Sequence, residues 1–439
     1  MIDLLQQTAP PAYIDGDFWQ DMQLGGFADQ AFEDDARGRE LFLGFARKPL
    51  AGGEAIRERQ AVLADFVGNP GLIASLLAVC GEAEDMPLLS RNHMYEVLEP
   101  SRRLAHNQKA CKHIIGVLQR AVRAIRAANF TARPLRDLQQ NWRVTQQLET
   151  MARRLDEVCG LPRAQVLRVS FGLTPQLKLH SVRMIAAAGA DRKQRKGNQL
   201  ASPVARKKHE MVEQLMLYAT SLCAAIYAQI RDWLKELQAQ VEGVQAMLAA
   251  QAYLAQQGAV CLPQIDGEGL WAEGLWDALQ ADELGAGAID LVQVNQLWVF
   301  GQRHMQKVSL LRRIGLAQLL CQMGLQVPAA AYTACAFPTL VSHFPRHEDD
   351  TQRYGKLVEE LTRLRAFAPR IQGGGLVLMS ESFATTTIPE GSALAFDVLT
   401  AMAHTRARVV FSTYFQSLRE RVDEARQAVP CREIVAIDG

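Results

Sequence analysis

The sequence predicts a multidomain protein in which an all-helical domain is followed by an α/β domain. Helical apolar periodicity dominates up to about residue 257, whereas strand-like and helical runs alternate after it. Gly258, Pro263, Gly267 and Gly269 mark the change of pattern. We therefore expect two domains, covering residues 1–258 and 259–439.

The first domain contains several amphipathic helical stretches. Glu54–Val67 carries an apolar helical face, an Asn-Pro dipeptide ends it, and Gly71–Cys80 begins another helix. Strand-like material is sparse. Ala164–Phe171 and Gln176–Ile185 alternate enough in polarity to predict one pair of strands.

Residues 210–257 form a very long helical pattern that is interrupted only by Gly243. Apolar residues recur mostly in steps of three and four, which is typical of a packing seam on one face. An unbroken helix would be roughly 70 Å long at 1.5 Å per residue. Two ordinary helices with a kink near Gly243 are the alternative.

A basic, irregular segment precedes this helix. Its cations are Arg192, Lys193, Arg195, Lys196, Arg206, Lys207 and Lys208. A solvated loop is the favoured interpretation. The alternative is a DNA contact, because several cations along a phosphate backbone would displace counterions.

The sequence pattern of the second domain predicts a largely parallel sheet with helices between its strands. The predicted strands are Ile289–Val294, Leu297–Phe300, Leu376–Met379, Arg408–Ser412 and a run that begins at Cys431. The predicted helices are Leu310–Met323, Lys356–Phe367 and Ser392–Ala403.

The loop after Leu297–Phe300 resembles a phosphate-binding P-loop, G-x-x-x-x-G-K-[ST], with two changes. Gly301 and Lys307 stand where the first glycine and the lysine belong, but Gln306 replaces the second glycine and Val308 the hydroxyl residue. A left-handed Gln306 would cost roughly 1–2 kcal/mol. Val308 cannot bind a metal ion. Ser309 is a poor substitute because it lies about 100° further around the helix.

An acidic element, the second part of the candidate site, follows the strand Leu376–Met379. In a complete site, an Asp at the strand end would hold magnesium and a Glu would activate water. Here Ser380 stands where the Asp belongs, and Glu381 is retained. Two groups that support a metal ion are therefore missing together. Their loss should reduce turnover more than binding.

The composition is ordinary for a globular protein. Hydrophobic residues make up 49%, charged residues 22%, and the net charge is +1, so no global field attracts nucleic acid or a membrane. The eight cysteines are scattered and predict buried thiols in place of disulfides or a zinc site. The sequence shows neither a signal peptide nor a run long enough to span a bilayer. We expect a cytoplasmic protein.

Several segments of the second domain carry a colinear set of motifs. They are Arg312–Leu320, Val327–Ala329, Thr339–Phe344, Glu381–Gly391 and Phe411–Tyr414. This set resembles the ATPase domain of the MutS mismatch-repair family. Three further segments resemble a bacterial MutS-like subgroup that lacks the mismatch-reading domain; they are Ser380–Gly391, His343–Asp349 and Gly355–Leu361. More weakly, Phe18–Leu24 and Arg59–Asn69 resemble the start of the family's helical core and lever.

The resemblance implies a helical core and lever joined to an ABC-type ATPase domain that uses ATP and Mg²⁺. It implies that Lys307 holds phosphates, that Glu381 polarises water, and that Arg346 and Glu348 lie near the site. Tyr414 replaces a histidine that senses the γ-phosphate in the family. It also implies DNA as a sequence-non-specific partner, and a homodimer or a heterodimer with a MutS-like homologue.

Two functions follow as hypotheses. The first is an ATP-binding protein of DNA repair or recombination with impaired hydrolysis. The second is a pseudo-ATPase that serves as a scaffold or as the partner of an active homologue.

Overall fold

The structure is a computed structural model and describes residues 3–85, 87–88, 100–140, 150, 166–173, 179–188, 203–279, 288–301, 304–346, 355–421 and 431–435. The chain forms two compact units. The first draws on residues 69–130 and 135–241, and the second on residues 3–68, 131–134 and 242–439. The division near residue 258 stays a prediction.

The helices and strands of the described residues are numbered in chain order. The helices are α1 (Gly16–Asp21), α2 (Leu24–Ala31), α3 (Ala36–Ala46), α4 (Gly53–Gly68), α5 (Leu72–Gly81), α6 (Pro100–Ala127), α7 (Arg133–Gln140), α8 (Pro203–Gln257), α9 (His304–Gln322), α10 (Lys356–Phe367), α11 (Ile388–Ala403) and α12 (Gln416–Glu420). The strands are β1 (Tyr13–Ile14), β2 (Val166–Leu173), β3 (Leu179–Ala188), β4 (Gln264–Ile265), β5 (Leu270–Glu273), β6 (Ile289–Asp290), β7 (Gln296–Phe300), β8 (Ala331–Ala334), β9 (Thr339–His343), β10 (Gly375–Ser380), β11 (Ala407–Thr413) and β12 (Cys431–Val435).

The predicted helices on either side of the Asn-Pro dipeptide are confirmed as α4 and α5. Gly71 adopts φ +81° at the start of α5, a left-handed conformation that glycine takes without steric cost. Asp65 of α4 is buried, and its carboxylate accepts hydrogen bonds from the backbone N–H groups of Thr131 and Ala132 at 2.8 and 2.7 Å. Asp65 therefore fixes the segment that leads into α7.

The long helical pattern forms the single helix α8, which has 55 residues and a length of about 80 Å at 1.5 Å per residue. The alternative of two helices is wrong. Gly243 has a packing role: a Cβ atom there would lie 2.8 Å from Leu5 Cδ1 and 3.0 Å from the Phe45 ring. Glycine at this position lets those two side chains pack directly against the helix backbone.

The predicted strand pair is confirmed as β2 and β3, which pair antiparallel with Val166 opposite Ala188. A second small sheet, in the order β4-β8-β5-β6, belongs to the other unit. The residues between β2 and β3, numbers 174–178, lie outside the described part.

Six parallel strands form the main sheet in the order β1-β9-β10-β11-β7-β12. β7, β9 and β10 are buried along their whole length, as expected for parallel strands that are covered on both faces. The predicted mixture of helices with a largely parallel α/β sheet is thus confirmed. The sequence did not predict β1, although Tyr13 and Ile14 pair with Thr339 and Leu340 at the sheet edge.

Six cysteines of the described residues are free thiols. Cys80, Cys111, Cys223 and Cys321 are buried, whereas Cys261 and Cys335 are half-buried. Burial raises the pKa of Cys321 and of Cys335 above the ordinary thiol value. These thiols therefore stay protonated at neutral pH.

Among the described helices, none alone is long and apolar enough to cross a membrane. The pair Gly53–Gly68 and Leu72–Glu84 meets the criteria of length and composition only when its two bent halves are taken together.

Candidate functional site

The carboxyl ends of three neighbouring strands form the candidate site. β11 lies between β7 and β10, and all three run parallel. Register places Phe300 beside Thr413 and Ser380 beside Ser412. The residues that follow these strands, Gly301, Glu381 and Tyr414, therefore share one edge of the sheet, where doubly wound α/β folds bind ligands.

Lys307 lies at the centre of this edge and is only 1% exposed. Its Nζ donates a hydrogen bond to the Gly301 carbonyl oxygen at 2.7 Å and forms an ion pair with the Glu381 carboxylate. It also lies 5.9 Å from the centre of the Tyr414 ring, which is 37% exposed. The structure thus brings together four of the predicted site residues.

The helix after the loop begins earlier than in the expected P-loop. α9 starts at His304, so Gln306 lies in its first turn. Gln306 is not among the described residues with positive φ, and the left-handed strain expected there does not arise. Residues 302 and 303 lie outside the described part.

The two residues after Lys307 point to other roles than metal binding. Val308 is buried and offers only hydrocarbon. The Ser309 hydroxyl donates a hydrogen bond to Asp277 Oδ2 at 2.9 Å, and both residues are buried. Sequence reasoning missed Asp277, because it lies 32 residues upstream and belongs to no motif.

The turn after β10 is strained. Glu381 and Phe383 adopt φ +49° and +69°, in the left-handed region that costs an ordinary residue roughly 1–2 kcal/mol. The Glu381 N–H donates to the Ser412 carbonyl at 2.8 Å, which holds the turn against β11. Ser380 is fully buried, with its hydroxyl 3.3 Å from that of Ser412. Strain of this kind is concentrated at functional sites.

His343, at the end of β9, belongs to a buried hydrogen-bond network. Its Nε2 lies 3.2 Å from the Glu360 carbonyl and its Nδ1 lies 2.7 Å from the Ser382 hydroxyl. Burial lowers the pKa of His343 to about 4, so the ring is neutral at pH 7. Nε2–H then donates to the carbonyl, and Nδ1 accepts from the hydroxyl. The Glu360 carboxylate accepts from the Phe383 N–H at 2.8 Å, which ties α10 to the strained turn.

Of Arg346 and Glu348, which the resemblance places near the site, the structure describes Arg346. Arg346 pairs with Asp17 and, at 3.5 Å, with Glu359. Its described contacts do not include Lys307 or Glu381. Glu348, Arg192, Lys193, Arg195 and Lys196 lie outside the described residues, and Arg206, Lys207 and Lys208 belong to the first turns of α8 without a described side-chain position.

The donor groups at this edge do not fit a magnesium ion. Mg²⁺ needs oxygen ligands in near-octahedral geometry. Val308 has none to offer, the Ser309 oxygen is bonded to Asp277, and Ser380 presents a buried neutral hydroxyl. Among the described residues, moreover, no group of three His, Cys, Asp or Glu is placed to hold a metal. An anionic phosphate fits better, since Lys307 and the N-terminus of α9 both favour negative charge.

Comparison with known proteins matches this part of the chain. Residues 299–437 match the family model for MutS domain V. The endonuclease MutS2 of Exiguobacterium sibiricum is 30% identical over 128 residues, which are 29% of this chain and 16% of that protein. The DNA mismatch repair protein MutS of Oceanobacillus iheyensis is 24% identical over 125 residues, or 28% of this chain and 14% of that protein.

A eukaryotic relative matches a longer stretch. The probable DNA mismatch repair protein Msh6 of Drosophila melanogaster is 22% identical over 174 residues, which are 38% of this chain and 15% of that protein. The chain thus matches about one sixth of the length of each of these three relatives. Over residues 299–437, and at low identity, the chain is similar to the MutS family.

Proposed function

We propose that the protein acts in DNA repair or recombination and has a nucleotide site whose magnesium-dependent hydrolysis is impaired. One observation carries this proposal: Lys307 is buried in an ion pair with Glu381, beside positions 308 and 380 that lack metal ligands. Its relatives, which are mismatch repair proteins and endonucleases, support the cellular role.

The ion pair sets a free-energy cost on nucleotide binding. Phosphates that bind Lys307 would replace Glu381 as its ion-pair partner. The Glu381 carboxylate would then be buried without a counter-ion. Breaking a buried pair by removing one partner costs about 3–5 kcal/mol. At 1.4 kcal/mol per tenfold, this cost weakens affinity by roughly two to four powers of ten unless new contacts offset it. We therefore expect weak nucleotide binding.

Hydrolysis would suffer further. Lys307 would hold the phosphates and Glu381 would polarise the attacking water, but a metal ion normally neutralises the charge that develops on the transferred group. Val308 and Ser380 leave that charge without a protein-held metal. The residues of this chain can thus bind and orient a nucleotide better than they can cleave it.

A second candidate function is a pseudo-ATPase with no nucleotide turnover. The same ion pair favours it, because Glu381 already supplies the negative charge that a phosphate would bring to Lys307. Such a protein would be a scaffold, or would form a heterodimer with a MutS-like homologue. For the first function, we propose that the protein forms a homodimer.

Calorimetry of nucleotide binding separates the two functions. The wild type, Lys307→Ala and the surface control Lys235→Ala are titrated with ATP, with and without Mg²⁺, while phosphate release is followed in parallel. The first function predicts weak binding that is lost only in Lys307→Ala, with little release. Tight, magnesium-dependent binding with turnover would overturn both proposals, and the absence of binding leaves the second.

DNA binding is tested separately. Anisotropy of labelled duplex and branched DNA is measured at low salt for the wild type and for a variant with Arg192, Lys193, Arg195 and Lys196 changed to Ala. Each phosphate contact that is lost lowers the slope of log affinity against log salt by about 0.9. Undetectable affinity of the wild type would remove the support for a direct DNA role.

A further inference from the structure

A cavity of about 600 Å³ lies within the second unit, away from the sheet edge that holds Lys307. Its walls come from residues 6–11, helix α3 and the start of the following segment, together with Arg59 of α4. This volume lies within the range of small-molecule sites, about 300–1,000 Å³. Neither the motifs nor the relatives of the chain assign it a role.

A buried guanidinium lines this cavity. Arg59 is 1% exposed. Its Nε donates to the Leu5 carbonyl at 2.6 Å and its Nη1 to the Met323 carbonyl at 3.3 Å, while the guanidinium lies 5.6 Å from the centre of the Phe45 ring. Within the described part of the chain, Nη2 makes no hydrogen bond and no carboxylate lies within ion-pair distance of Arg59.

A buried cation without a counter-ion is unfavourable, because neutral carbonyl oxygens and an aromatic face replace only part of its hydration. Burial lowers the pKa of Arg59 to about 10, so the group is still charged at neutral pH. Asp3 acts on it only from a distance, and its carboxylate already accepts hydrogen bonds from Gln7 and Thr8. The site therefore lacks one negative charge.

The remaining lining defines the shape of the missing partner. Lys48 is exposed at the cavity, and among the described residues its side chain has no ion-pair or hydrogen-bond partner. Arg37 also lines it, but pairs with Glu40 and Glu242 at 3.3 Å. Apolar walls complete the cavity; they include Pro10, Leu41, Phe45 and Leu50. Cations thus stand beside a mostly apolar surface.

We propose that this cavity binds a small organic anion, in which one carboxylate or phosphate group pairs with Arg59 and an apolar body packs between α3 and residues 6–11. A guanidinium suits either group, since its charged N–H donors form strong hydrogen bonds to anionic oxygens, and Nη2 of Arg59 has no other hydrogen bond among the described residues. Lys48 adds a second positive charge at the cavity. The site is independent of the nucleotide site, and it stands even if the protein binds no ATP.

Three probes of one size test the chemistry. Benzoate, phenyl phosphate and uncharged benzyl alcohol are titrated into the full-length protein and followed by calorimetry and by thermal unfolding. We expect one anion to bind with 1:1 stoichiometry and to raise the melting temperature, with benzyl alcohol at least roughly tenfold weaker, the loss that one charge-assisted hydrogen bond carries. Which anion binds identifies carboxylate or phosphate as the natural group.

Variants locate the site. Gly44 lies in α3, lines the cavity, and a Cβ there meets no atom within 4 Å. Gly44→Phe should therefore fill the cavity and abolish binding, whereas Gly44→Ala should keep it. Gly25→Phe is the matched control, because Gly25 is equally open but lies in α2, outside the cavity lining. Arg59→Lys and Lys48→Ala should each weaken binding of the anion without changing the affinity for benzyl alcohol.

Two results would overturn the proposal. One is that neither anion binds more tightly than benzyl alcohol. The other is that binding survives Gly44→Phe, or is lost equally in Gly25→Phe. If Arg59→Lys does not fold, the Gly44 pair still decides, since neither of those substitutions touches the contacts of Arg59 with Leu5 and Met323.

Discussion

A double-mutant cycle on Lys307 and Glu381 tests the buried ion pair directly. Their side chains are 1% and 6% exposed, so neither charge regains much water when its partner is removed. Lys307→Met leaves the carboxylate buried without its counter-ion, and Glu381→Gln leaves the buried ammonium with only neutral acceptors, such as the Gly301 carbonyl. Each single substitution should cost about 3–5 kcal/mol of unfolding free energy.

The double variant should be much less destabilised than the sum of the two. With both charges gone, the cost is that of repacking neutral side chains, and we expect a coupling energy of about 2 kcal/mol or more. Because two compact units need not unfold together, a single melting curve is a poor measure. Hydrogen exchange of peptides covering β7 and β10, as a function of urea, reports on the unit that holds the pair.

Small and additive effects of the two substitutions would contradict this prediction. If each single substitution costs less than about 1 kcal/mol and the effects add, the pair contributes nothing to stability, and the free-energy cost proposed for nucleotide binding is refuted. Surface pairs behave in that way. The exposed pair Arg39–Asp29, 39% and 63% exposed, provides the matched comparison within the same chain.

Further predictions concern the neighbours of the site. Ser309→Ala removes the hydroxyl that bonds to Asp277 at 2.9 Å and should cost about 1–3 kcal/mol in urea unfolding, with no change in ATP titration; a large loss of ATP affinity would instead give Ser309 a ligand role. The pKa of His343 is lowered to about 4, so its stability contribution is present above pH 6.5 and is lost as pH falls toward 4, by up to about 3 kcal/mol. His343→Gln should flatten this pH dependence in denaturant titrations. Burial raises the pKa of Asp15 to about 7, so its contribution is lost as pH rises from about 4 through 7. Asp15→Asn keeps an N-cap for Phe18 and should gain stability relative to wild type at pH 8 but not at pH 5; equal effects at both values would contradict a shifted carboxyl.

The central strands were predictable because burial on both faces produces continuous apolar runs. Leu297–Phe300 and Leu376–Met379 appear as β7 and β10 with one or two added residues. β1 has no such signal. Its two residues become a strand only because Pro338 and the edge of β9 supply hydrogen-bond partners.

The same distinction applies to the site. Spacing alone predicted that Lys307 and Glu381 each follow an apolar strand, since each lies shortly after the end of an apolar run. Spacing could not predict that they pair with each other, or that Asp277 takes the Ser309 hydroxyl. Those contacts depend on how helix α9 is set against segments distant in sequence. Which side chains contact each other at a site thus depends on tertiary packing, and no local sequence pattern encodes it.

The joining of β1 and α1 to the main sheet limits how this protein can be made and divided. Ser342 hydrogen-bonds to Asp21 across 321 residues of sequence, so the sheet edge is completed by chain that the ribosome releases first. A fragment of residues 259–439 would lack β1 and leave the edge of β9 open to pairing with other chains. During synthesis, the N-terminal segment cannot pair until the strands of the main sheet have been made. Contacts between residues so far apart in sequence slow folding. Expression of the isolated domain should therefore give aggregates, which residues 3–68 supplied in trans would reduce.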